Sequence, residues 1–262
     1  LAITDYQQAP YLVLATRAGL VKKTRLAEYD SPRSGGLIAV NLRDDDVLVG
    51  AGLAAADDDL LLVSRQGQSV RFRADDDQLR PMGRATSGVT GMRFKADDVL
   101  LAMSVVQSGS EPDVFVVFEN GLAKRTSVTE YRVQGRGGTG IQVAKLSDKG
   151  GHLVGALTVT AEDEVMVVME RGKIVRSRVD EVRHTGRSTM GVKFATPDTG
   201  DAIVAVARNA ESGVEDDNGV TSEGTDLSEE SGEDGAEGAE NSDRVVTTDS
   251  VEATDEQPGG SE

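Results

Sequence analysis

Val114-Phe115-Val116-Val117-Phe118-Glu119-Asn120-Gly121-Leu122-Ala123-Lys124-Arg125-Thr126 holds a short apolar run, a tight turn and an alternating run. Five β-branched and aromatic residues in a row read as a strand covered on both faces. Asn-Gly is a strong hairpin signal, because glycine supplies the positive φ the turn needs. Over residues 122–126, period-two alternation puts the bases on an outer face and the aliphatics inside.

The same unit occurs three more times. Its first strands are expected at 11–15, 60–63 and 165–169, its turns at Gly19, Gly67 and Gly172, and its second strands at 20–24, 69–73 and 173–177. Third strands are expected at 38–42, 89–94, 141–144 and 192–194, and fourth strands at 47–49, 99–102, 153–157 and 203–206. Four strands in about 51 residues describe a propeller-type blade. No stretch keeps a 3.6-residue period over three turns. The predicted fold is all-β, with four-stranded blades at about 10–56, 57–108, 109–160 and 161–210.

Each copy carries bases in matching places. Arg33, Arg84, Arg136 and Arg187 are separated by steps of 51, 52 and 51 residues. Lys23, Arg71, Arg125 and Arg176 each lie four residues past a turn glycine, with Lys22 and Lys124 beside two of them. Stacked copies would line these charges along one rim, which suits a polyanion. The plainer alternative is a solvated strand face.

Net charge hides this pattern. Residues 1–210 hold 27 bases and 27 acids, whereas 211–262 hold one base, Arg244, and 18 acids. The formal charge of −17 therefore belongs to the tail. Where charge sits matters more than its sum. The tail lacks aliphatic clusters and is expected to be disordered. The chain has no cysteine, which excludes disulfides and thiolate metal sites. Its apolar runs are too short to span a bilayer, and no signal peptide opens it. It starts at Leu1 rather than Met and reads as a fragment of a longer protein.

The loop Gln134-Gly135-Arg136-Gly137-Gly138-Thr139-Gly140 fits G-x-G-x-x-G literally. A dinucleotide site needs a helix after that pattern, and strand signal follows instead. Two readings remain: a flexible loop, or a phosphate cradle in which glycines let main-chain N–H groups approach an anion and Arg136 supplies a planar fork. Acid triplets at 44–46, 57–59 and 75–77 lack the spacing of a calcium loop and read as solvated turns. His152 and His184 read as structural or exposed, and Tyr29 and Tyr131 as blade packing. No catalytic constellation is present in the pattern.

The loop resembles the seven-residue box of the DNA gyrase A C-terminal domain family: Gln, base, Arg, Gly, Gly, base, Gly. Gln134, Arg136, Gly137, Gly138 and Gly140 match; Gly135 and Thr139 stand where the family has bases. Val21-Lys22-Lys23-Thr24, Ala123-Lys124-Arg125-Thr126, Arg84-Ala85-Thr86-Ser87-Gly88 and Arg187-Ser188-Thr189-Met190-Gly191 resemble the family too. The resemblance covers about residues 10–210. It implies a β-pinwheel whose blades exchange strands and whose basic rim wraps double-stranded DNA without sequence specificity. It also implies a cytoplasmic, nucleoid-associated holoenzyme, a heterotetramer with a breakage-reunion region upstream and a separate ATPase subunit, which introduces negative supercoils. ATP and Mg belong to that holoenzyme; this fragment is expected to hold no cofactor, no catalytic residue and no membrane contact. The family usually has about six blades with the box in the first, whereas here it lies in the third. Rival readings are the related domain of topoisomerase IV and a kelch-type protein-binding propeller.

Overall fold

Apolar runs and glycine turns become hairpins as their chemistry dictates. Gly121 sits at φ +90°, a conformation open to glycine without a Cβ penalty, and turns Phe118 back toward Leu122. Among residues 1–31 and 35–209, which the computed structural model describes, fifteen strands run in order. They are β1 (Tyr11–Thr16), β2 (Leu20–Arg25), β3 (Leu48–Ala54), β4 (Asp59–Ser64), β5 (Gln68–Arg73), β6 (Val89–Thr90), β7 (Leu100–Val106), β8 (Asp113–Phe118), β9 (Leu122–Ser127), β10 (Ile141–Gln142), β11 (Leu153–Val159), β12 (Glu164–Met169), β13 (Ile174–Arg178), β14 (Val192–Lys193) and β15 (Ile203–Arg208). Arg33 and the acidic segment 211–262 lie outside the described residues.

The strands form four antiparallel sheets, ordered β3-β1-β2-β6, β10-β5-β4-β7, β11-β8-β9-β14 and β13-β12-β15. The expected third strand differs from the observed one. It shrinks to two residues and leaves its own repeat: Val89 pairs with Val21, Ile141 with Ser69, and Val192 with Ala123. Each of the first three blades is thus completed by a strand from the next, whereas the fourth, expected to have four strands, has three among the described residues. In the first repeat, residues 38–42 form no strand, and Ile38 is 64% exposed. A local pattern marks a strand but not the sheet it joins.

The core lies between blades rather than within them. Along β4, Leu60 and Leu62 pack toward the first blade and Leu61 and Val63 toward the third. Along β8, Val114, Val116 and Phe118 face the second blade while Phe115 and Val117 face the fourth. This explains the unbroken apolar runs: both faces of each sheet are covered. Each such side chain contributes roughly 1.5–3 kcal/mol by leaving water. β3, β7, β11 and β15 pack in succession on one side. The donated strands and the arginine loops therefore occupy the opposite, outer edge.

Candidate nucleic-acid interface

Three described loops ride on the preceding blade at that outer edge. The first carries Arg84 and is tied to Asn41, whose N–H donates to Thr86 O at 3.1 Å and whose amide donates to Ala85 O at 2.9 Å. The half-buried guanidinium of Arg84 has no ion-pair partner among the described residues. The third loop carries Arg187. Its N–H donates to Glu130 Oε2 at 3.0 Å, and its guanidinium donates to Gln142 O at 2.9 Å.

The middle loop is 134–140. Gln134 N–H donates to Arg71 O at 2.8 Å, Arg136 N–H to Gln78 Oε1 at 3.1 Å, and Gly137 N–H to Gly91 O at 2.6 Å. Gly140 takes φ +83°, and a Cβ there would meet Ser69 O at 2.3 Å. These glycines seat the loop on its neighbour, and three of its N–H groups are already spent doing so. The exposed Arg136 donates to Gln78 O and, at 3.0 Å, to Thr90 O. Gly138 accepts from Arg93 N–H at 2.9 Å. The loop is therefore anchored rather than flexible.

The second set of bases is placed differently from expectation. Lys22, Lys23 and Lys124 are 1%, 0% and 0% exposed, not on an outer face. Lys23 donates to Ala74 O at 2.6 Å and Asp76 at 2.8 Å, with its ammonium 4.4 Å from the Tyr11 ring centre. Lys124 donates to Val143 O and Gly186 O, each at 2.8 Å, and to Arg187 O at 2.5 Å. Burial pushes Lys22 and Lys124 down to about 8; Glu28 and Glu130 oppose that shift, and Arg84 and Arg187 add to it. The second strand lies inside a doubly covered sheet, so a charged head there ends on backbone carbonyls.

Arg71, Arg125 and Arg176 are neutralised within their own blades. Arg71 Nε donates to Asp59 at 2.8 Å, Arg125 Nε lies 3.4 Å from Asp113, and Arg176 Nε donates to Glu164 at 2.6 Å. His184 Nε2 also sits 2.8 Å from Asp113. Sequence reasoning missed these acids, although each stands twelve residues before its arginine. Asp58 and Asp59 are buried rather than solvated, and Asp58 accepts from Ala55 N–H at 2.8 Å and Ser108 N–H at 2.9 Å. Tyr131 is in the core, as read, and Tyr29 is half-buried. Among the described residues no cluster of His, Asp and Glu is suited to hold a metal ion.

A further ladder went unread. Arg80, Arg132 and Arg183 each precede a loop arginine by four residues. All three are exposed, and none forms an ion pair among the described residues. Equivalent places in successive blades put them along the same outer edge as Arg84, Arg136 and Arg187.

Blades that complete one another's sheets, with arginine loops at each crossing, define a strand-exchanging propeller with a cationic rim. A family model described as "DNA gyrase C-terminal domain, beta-propeller" matches residues 10–54, 58–107, 113–160 and 163–209, and the chain belongs to that family. It is 58% identical over 219 residues to the DNA gyrase A protein of Streptomyces coelicolor, and 53% identical over 224 residues to that of Mycobacterium tuberculosis H37Rv. Those alignments cover 82% and 86% of this chain but only 25% and 26% of the relatives, so the chain spans about a quarter of their length. A solved DNA gyrase A C-terminal domain superposes with TM-score 0.69 at 28% identity, covering 79% of this chain and 68% of the other. The C-terminal domain of a DNA topoisomerase IV gives TM-score 0.72 at 25% identity, over 79% and 64%. The kelch-type alternative is thereby set aside.

Proposed function

We propose that the outer edge binds and wraps double-stranded DNA without sequence specificity, and that a gyrase holoenzyme uses this wrap to introduce negative supercoils. The observation that carries the reading is the paired recurrence of arginines at each blade crossing: Arg80 with Arg84, Arg132 with Arg136, and Arg183 with Arg187. Contacts to phosphate need cations at regular spacing and no base-reading side chains. The buried lysines and the acid-paired arginines, Arg176 among them although its side chain is 53% exposed, are assigned to the scaffold, and the rim arginines without an acid partner among the described residues to the polyanion. The partners of this reading are a separate ATPase subunit, and a breakage-reunion region on the same polypeptide as the rim. ATP and Mg serve those parts, and DNA-wrapping itself requires neither.

Bending 20–30 base pairs by 40–90° costs on the order of 1–6 kcal/mol, which the ion contacts offset at moderate salt. Binding of linear duplex across a salt series tests the contact. Six engaged arginines give a slope of log K against log[salt] of about −5, at roughly −0.9 per phosphate. A slope shallower than about −2 would refute the rim. Relaxed circles incubated with the protein and a nicking-closing enzyme test the wrap: a shift in linking number is expected, and an unchanged distribution leaves binding without wrapping, the behaviour of the topoisomerase IV alternative.

A further inference from the structure

Beneath the 51-residue repeat lies a longer one. Lys22 and Lys124 are 102 residues apart, as are Glu28 and Glu130, and Tyr29 and Tyr131. Val70 and Val175 hold the lysine's place in the second and fourth repeats. The two lysines do the same work. Lys22 Nζ donates to Ala39 O at 2.6 Å and to the carbonyl of Arg84. Lys124 Nζ donates to Val143 O, one residue further along its own repeat than Ala39 in the first, and to the carbonyls of Gly186 and Arg187. Each ammonium therefore joins its own strand, its own repeat's loop and the arginine loop of the next repeat. At the middle crossing, where Val70 stands, amides take over: Gln78 Oε1 accepts from Arg136 N–H at 3.1 Å, and Gln134 Nε2 donates to Ser69 O at 3.5 Å.

We propose that Lys22 and Lys124 are positioning residues for DNA contact: they never meet the polyanion, and they fix the main chain from which Arg84 and Arg187 project. The proposal rests on the DNA-binding reading of the rim. Its chemistry is specific to an ammonium. Carbonyls converging from two segments need one donor group with several hydrogens at a single point, which no apolar or acceptor side chain supplies. Without it the loop carbonyls are buried and unpaired, and the loop must move outward to reach water.

The test uses the full chain and linear duplex DNA, with Arg187→Ala, Lys124→Met, their combination, and the matching Lys22→Met. Loss of one phosphate contact lowers affinity about eight-fold at 0.1 M salt and flattens the salt slope by about 0.9, because each contact scales as roughly the −0.9 power of salt. Lys124→Met is expected to reproduce both changes. In the combination the losses should not add, since an arginine on a displaced loop has nothing left to lose. Amide exchange of Lys145, whose N–H donates to Thr189 O at 3.0 Å, should quicken in Lys124→Met. A Lys124→Met protein that melts lower but keeps wild-type affinity and slope overturns the proposal, as does full additivity. If neither lysine variant yields folded protein, the lysines are scaffold alone and the proposal falls. If Arg187→Ala itself leaves affinity unchanged, the fault lies in the DNA-binding reading of that loop.

Discussion

Replacing Arg71 with Met separates scaffold from surface. The Arg71 side chain is 16% exposed and its partner Asp59 is 5% exposed. The guanidinium holds Asp59 at 2.8 Å and also donates to Val128 O at 2.9 Å and Tyr131 O at 3.3 Å, across the crossing of the second and third blades. Methionine keeps the volume and removes every donor. Asp59 is left as a buried charge facing only the more exposed Arg73 at 3.5 Å. Breaking a buried pair from one side costs about 3–5 kcal/mol. In a domain of this size each kcal/mol lowers the melting midpoint by about 2–4 °C, so a fall of roughly 6–20 °C is expected in calorimetry. The salt slope for DNA should not move. Asp59→Asn should behave alike, and the double variant should lose less than the sum of the two, because the pair is the unit. A melting midpoint within a degree of wild type, together with a slope flatter by about 0.9, would show that Arg71 reaches phosphate and that its assignment to the scaffold is mistaken.

Stability should rise with pH between about 8 and 10 on account of Lys22 and Lys124: the folded form releases these protons near pH 8 and the unfolded chain near 10.5, so the unfolded state binds more protons in that window. The gap in denaturant midpoint between wild type and the Lys22→Met, Lys124→Met double variant should widen as pH climbs through this window, and a constant gap counts against it. Above pH 10 the trend should reverse, because burial raises the Tyr131 phenol and the unfolded chain then loses the proton first. Gly140→Ala forces a side chain into positive φ and against Ser69 O, so a loss of about 2 kcal/mol or more is expected, read as a lower melting midpoint; no change would mean the loop seats elsewhere. If the 18 acids of residues 211–262 compete with DNA for cationic groups, deleting that segment should increase low-salt affinity, and equal affinity would dismiss that competition.

What the sequence made legible follows from how local each signal is. The run ending at Phe118 and the turn at Gly121 specify their own conformation, and both stand as read. Residues 89–94 do not, because the partner of Val89 lies in another repeat and the pairing is only two residues long. The adjacent Lys22 and Lys23 carried a warning: neighbours on a strand point to opposite faces, so they could not both share one outer face. Asp59 was hidden by a reading of acids 57–59 as a solvated turn, and Asp113 and Glu164 were not read at all, although the constant distance of these three acids to Arg71, Arg125 and Arg176 marks a cross-strand bond. The regular arginines were visible because recurrence is a property of sequence; which of them reach water depends on packing and was not.

The alternation of lysine with valine under the loops bears on how such a molecule can grow or shrink. Joining residue 56 to residue 161 would excise the second and third repeats and set the fourth repeat's loop over Lys22, in place of a loop that Lys22 already holds. Excising a single repeat would bring together an ammonium and the glutamine-anchored loop, or a valine and carbonyls that need a donor. An internal gain or loss of two modules keeps every loop on a seat of its own kind, whereas that of one module does not.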